Sequence, residues 1–117
     1  MKQVDIKTEF ADLLKHAASV LKGEGILVKN EYNSDLPYIS SSFINGREGI
    51  YFKVDQRDFL SDDQEETINR IFPIKFKNDE GYYRLNLLSI YDYEWDDDRS
   101  WEPSIAMEII HNGKMVI

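Results

Sequence analysis

Apolar residues recur at spacings of three and four near the start of the chain: Ile6, Phe10, Leu13, Leu14, Ala17, Ala18 and Leu21. That spacing lays one apolar stripe along a helix and predicts a core-packing helix, with Thr8 able to cap its start and Gly23 and Gly25 ending it. The period then changes. Ile26–Glu31 is short and rich in β-formers, and the strand candidates Tyr38–Ile44 and Gly49–Val54 flank Asn45-Gly46, a dipeptide that readily supplies the positive φ angles of a tight hairpin turn. Closing on that turn leaves Ile44 and Arg47 beside it, with Phe43, Ile50 and Phe52 as apolar anchors. Ser40-Ser41-Ser42, small and polar on both faces, reads as an exposed edge strand.

Ser61-Asp62-Asp63-Gln64 has the form of a capping box, with acids in the first turn where the helix dipole favours them. The helix it opens runs to about Phe72, carries Ile68, Ile71 and Phe72 on one face, and is stopped by Pro73. Ile74–Lys77 then reads as a strand, Asn78-Asp79-Glu80-Gly81 as a turn, and Tyr82–Tyr93 as a long strand. Leu85, Leu87, Leu88 and Ile90 put apolar groups on both of its faces, as a central strand covered on both sides would need. After Pro103, Ile105, Met107 and Ile109 alternate with Ala106, Glu108 and Ile110, and Asn112-Gly113 turns that strand into a last one, Lys114–Ile117. The order αβββαββββ predicts an α+β fold: a single domain spanning 1–117, with a largely antiparallel sheet and two helices.

Composition supports one folded unit. The chain has 117 residues, 42% of them hydrophobic and 13% aromatic, with three Pro and six Gly, enough to bury one core and unlike a disordered segment. It has no cysteine, which removes disulfides, thiolate ligands and thiol nucleophiles and fits a reducing compartment. Met1-Lys2-Gln3-Val4-Asp5-Ile6-Lys7 lacks the apolar run of a secretory signal, and no window approaches the ~18 apolar residues of a membrane span, so a soluble cytoplasmic protein is expected.

Charge changes the picture once it is located. The formal net charge is −8, but Asp55, Asp58, Asp62, Asp63, Glu65 and Glu66 against Arg57 give −5, and Asp92, Glu94, Asp96, Asp97, Asp98 and Glu102 against Arg99 give another −5. The remaining 94 residues hold 10 acids and 12 bases, a body of +2. The first patch has a local task, because Asp62 and Asp63 sit in a helix first turn. The second is more unusual: Tyr91, Tyr93, Trp95 and Trp101 are interleaved with its carboxylates, and both Trp residues of the chain fall there. Aromatic rings supply large contact area at low entropic cost while carboxylates set the sign of the partner, so this segment is expected to bind something basic. Nucleic acid and anionic membranes would be repelled.

Enzymatic chemistry has less to stand on. His16 and His111 are the natural acid–base candidates, but they lie in no recognisable motif, and no Walker A, G-x-S-x-G, H-E-x-x-H or G-x-G-x-x-G pattern occurs. Asp92, Glu94, Asp96, Asp97 and Asp98 cluster as Ca²⁺ or Mg²⁺ ligands do, yet the EF-hand spacing is not met, since Trp95 intrudes and no glycine makes the turn. No cofactor and no metal are expected.

A small, cysteine-free, acidic single domain with acid- and aromatic-rich loops resembles the immunity proteins of bacterial toxin–immunity pairs, such as those of contact-dependent growth inhibition and nuclease bacteriocins. The resemblance covers the general character of the whole chain. It implies a non-enzymatic inhibitor whose partner is a basic toxin domain, often a nuclease or RNase, blocked by occlusion of its active site. Under that reading Asp96, Asp97 and Asp98 contact toxin Lys or Arg, Asp92, Glu94 and Glu102 extend the field, and Trp95 and Trp101 are the buried anchors. Two rival readings are a small enzyme using His16 or His111 and a DNA mimic, the latter disfavoured by the +2 body.

Overall fold

The computed structural model describes residues 10–30, 36–37, 39–44, 46–94 and 101–117. They form two helices, α1 (Ala11–Gly23) and α2 (Asp62–Ile71), and six strands: β1 (Ile39–Ile44), β2 (Arg47–Lys53), β3 (Ile74–Asn78), β4 (Gly81–Glu94), β5 (Trp101–His111) and β6 (Lys114–Met115). All strand pairs are antiparallel, in the order β1-β2-β5-β4-β3, with β6 against β5. The fold is the expected α+β domain. Of the strand expected at Ile26–Glu31, the described residues 26–30 form single bridges, Val28 to Val54 and Asn30 to Pro37, and Glu31 lies outside the described residues.

Local chemistry sets both helices. In α1, Leu13, Leu14, Ala17 and Leu21 are buried, as the stripe requires, and Phe10 occupies the N-cap position without a side-chain cap; Ile6 and Thr8 lie outside the described residues. Its end is a Schellman arrangement: Gly25 at φ +85° donates to the Lys22 carbonyl at 3.0 Å and Ile26 to the Leu21 carbonyl at 2.9 Å, while the Ile26 and Leu21 side chains are both buried. In α2 the capping box is complete, with the Gln64 N–H donating to Ser61 Oγ at 3.2 Å and the Ser61 N–H to Gln64 Oε1 at 2.9 Å.

The helices and one face of the sheet enclose a single core in which Leu13, Leu14, Leu21 and Ile68 meet Ile50, Phe52, Leu85, Ile105, Met107 and Ile109. β5 is the central strand and is buried on both faces. Ile105, Met107 and Ile109 face the helices, and Ser104, Ala106 and Glu108 are buried on the other side. There the Tyr51 and Tyr91 rings, from the strands flanking β5, lie 6.0 Å apart, closer than two strand spacings, so they lean toward each other across it.

β4 departs from the expected central strand. β3 pairs with it only as far as Leu85, so among the described residues its second half pairs with β5 alone. Its two-sided apolar pattern has another cause, a bulge at Leu88: Leu87 pairs with Met107 and Ser89 with Ala106. The extra residue lets Leu87 and Ile90, three apart, both pack against the core.

Candidate functional site

The acidic aromatic segment is held at the far end of the β4–β5 ribbon. The strands extend further into it than the sequence pattern indicates: Asp92 pairs with Pro103, Tyr93 with Glu102 and Glu94 with Trp101. The structure therefore brings the backbones of Asp92, Glu94, Trp101 and Glu102 side by side. Trp95, Asp96, Asp97 and Asp98 lie outside the described residues, in the connection joining Glu94 to Trp101.

Pro103 marks where this ribbon leaves the rest of the sheet. The last β2–β5 pair is Lys53 with Ser104, and beyond it the Val54 N–H donates to the Pro103 carbonyl at 2.9 Å. A non-proline residue would return a hydrogen bond to the Val54 carbonyl; Pro103 has no N–H, and that carbonyl accepts from the Gln56 N–H at 2.9 Å instead. The ladder toward β2 ends while the ladder toward β4 continues. Pro103 is thus a position within β5, not the break before a strand starting at Ile105.

The first acidic patch is built into the entrance of α2. Asp62 and Asp63 occupy its first turn, and Asp58 Oδ1 accepts from the Phe59 N–H at 2.8 Å. The Gln56 amide donates to the Phe59 carbonyl at 2.9 Å and bonds the Gln64 side chain, tying the preceding loop to the cap.

The two histidines enter one row of rings. His16 lies 5.2 Å from Phe76, Phe76 lies 6.2 Å from Tyr83, and Tyr83 stacks on His111 at 4.1 Å with planes 2° apart. His111 Nε2 lies 2.9 Å from the Glu80 carbonyl oxygen and 3.3 Å from Asn112 Nδ2. Among the described residues no group of three or more His, Asp or Glu side chains converges as a metal ion would need, and no helix is long and apolar enough to cross a membrane.

A second feature is not visible in the sequence pattern. At the opposite end of β4 from the acidic segment, Lys75 on β3 faces Arg84 on β4, and Lys77 faces Tyr82 with its ammonium 4.9 Å from the ring centroid. With Ile110 they line a groove of about 450 Å³. The alternation Lys75-Phe76-Lys77 hints at one cationic side, but only the strand register sets Arg84 against it. No protein-family model matches this chain, and no curated protein or solved structure does so either.

Proposed function

We propose that this chain is a cytoplasmic inhibitor of the immunity-protein kind, which binds a basic toxin domain, a nuclease or RNase, and occludes its active site with the acidic aromatic end of the β4–β5 ribbon. The observation that carries this reading is the placement of a segment of net charge −5, rich in Tyr and Trp, on a two-stranded extension that runs beyond the end of β2. Mounting the segment on paired backbone reduces the conformational entropy lost on binding. Its carboxylates steer a cationic cleft toward it, and Trp95 and Trp101 supply the desolvated anchors.

The test is capture of partners by the tagged chain from lysate of its native host, at low and at high salt, followed by mass spectrometry. A single basic protein, retained tightly and captured faster at low salt, supports the reading, and its activity should be lost when the purified chain is added. Retention of no basic protein at either salt would end it.

A further inference from the structure

The face of the sheet turned away from the helices carries three cations at one corner. Register puts Lys75 on β3 opposite Arg84 on β4, and Arg84 opposite Ile110 on β5; in the next row Lys77 lies opposite Tyr82. Lys75, Lys77, Tyr82 and Arg84 are exposed, whereas Ile74, Tyr83 and Leu85, which alternate with them, are buried in the core. All four side chains therefore share the outer face. Among the described residues no carboxylate lies within ion-pair distance of Lys75, Lys77 or Arg84. Glu108, two residues from Ile110 on β5, accepts from Asn86 Nδ2 at 3.0 Å.

Lysines on an edge strand are the ordinary guard against unwanted pairing, which accounts for Lys75 and Lys77 on β3. It does not account for Arg84, which lies inside the sheet between β3 and β5, directly across from Lys75. A like-charge pair in that position destabilises the sheet unless an anion lies over it. Lys77 stands two residues along from Lys75, about 7 Å away in an extended strand. Three positive charges thus line one groove of about 450 Å³. A single carboxylate offsets one of them. A phosphate group carries about −1.5 to −2 at neutral pH with three acceptor oxygens, and a guanidinium takes two such oxygens at once.

The other residues lining the groove are Phe76, Tyr82, Tyr83, Ile110 and Gly113. The Tyr82 ring is 64% exposed, with the Lys77 ammonium 4.9 Å from its centroid. An exposed ring beside phosphate-binding cations suits a ligand in which the phosphate carries a planar base. The volume falls in the range of small-ligand sites, roughly 300–1,000 Å³. The chain's net charge of −8 repels a long polyanion far more than a single nucleotide. We propose that the groove of Lys75, Lys77, Tyr82 and Arg84 is a binding site for a free nucleotide, with the phosphates on the three cations and the base against Tyr82 and Ile110. The groove lies at the end of β4 remote from the acidic aromatic segment, so the inference stands apart from the inhibitor reading.

The experiment titrates the purified chain, without divalent cations, with adenosine, guanosine and uridine diphosphates, with the three nucleosides, with pyrophosphate and with a short single-stranded oligothymidine, following backbone amide shifts by NMR. At least one diphosphate should saturate, with the shifts concentrated in residues 74–84 and 110–113. It should bind about tenfold or more tighter than either its nucleoside or pyrophosphate, since each of those keeps only one of the two contacts. Lys75→Gln combined with Arg84→Gln should weaken that nucleotide about tenfold or more while the unfolding temperature stays unchanged or rises, because a like-charge pair is removed. Tyr82→Ala should weaken the nucleotide about tenfold and leave pyrophosphate unchanged. The absence of a saturable shift at several millimolar of every nucleotide overturns the proposal. So does pyrophosphate that binds as tightly as the nucleotide, or an affinity indifferent to both variants. Tighter binding of the oligothymidine than of any free nucleotide would mark a nucleic-acid surface and overturn it as well.

Discussion

Gly81 and Asn112 occupy adjoining space that only a glycine leaves free: a Cβ on Gly81 would collide with the Asn112 side-chain amide. Asn112 Oδ1 accepts from the Tyr82 N–H at 2.9 Å, and the Asn112 N–H donates to the Tyr82 carbonyl at 2.8 Å. The turn opening β4 is thereby locked to the turn closing β5. Gly81 sits at φ +122° and Asn112 at φ +50°.

Gly81→Ala therefore meets both a strained backbone and a filled site, and should cost about 2–3 kcal/mol, measured by denaturant unfolding. Asn112→Gly keeps the left-handed turn accessible but loses the side-chain hydrogen bond, for about 1 kcal/mol. Combining the two removes the collision, so the double variant should be more stable than the sum of the single costs indicates. Strict additivity would show that the side chains do not meet.

The capping box makes a second prediction. Ser61→Ala and Gln64→Ala each remove one partner of a reciprocal pair and should each cost about 1 kcal/mol, a fall of roughly 4 °C in unfolding temperature for a domain of this size. The double variant should cost less than twice that, since either change already breaks the reciprocity. Gln64→Ala should be the worse of the two, because its side chain also bonds Gln56.

Ser104 is fully buried, and its hydroxyl has no hydrogen-bond partner among the described residues. A buried hydroxyl left unpaired costs roughly 1–3 kcal/mol relative to a paired one. Ser104→Ala removes that cost with little change in volume and should stabilise the domain by about 1 kcal/mol, a rise of roughly 4 °C in unfolding temperature. A fall of similar size would show that the hydroxyl is bonded in solution.

For the proposed inhibitor site, charge and anchors should separate kinetically once the partner is in hand. Reversing Asp96, Asp97 and Asp98 to Lys should slow association about tenfold or more at low salt and change dissociation little. Trp95→Ala and Trp101→Ala should each speed dissociation about 30-fold, the equivalent of ~2 kcal/mol for a buried aromatic anchor. Unchanged dissociation in both Trp variants would remove this segment from the interface.

How much of this was legible in the sequence depended on the range of the interaction. The Ser61–Gln64 cap and the Gly25 end of α1 involve residues at most five positions apart, and so did the signals that revealed them. The concentration of acids and aromatics between Tyr91 and Pro103 is likewise a property of the chain itself. The apolar run of β4 misled for a related reason: alternation is read assuming a regular ladder, and the bulge at Leu88 breaks the ladder without leaving a Gly to announce it.

Apart from the strand expected at 26–31, the sequence alone determined the element types, their order and the existence of the acidic aromatic segment, because these follow from local spacing, caps and turns. Tertiary structure decided which strand lies at the centre and where β4 loses its neighbour on the β3 side. It also decided that Pro103 ends one ladder while continuing another, and that Lys75 meets Arg84. Each of these is a matter of register between residues far apart in the chain. A register is settled by the summed burial of a whole face against a shared core, which no short window of residues contains.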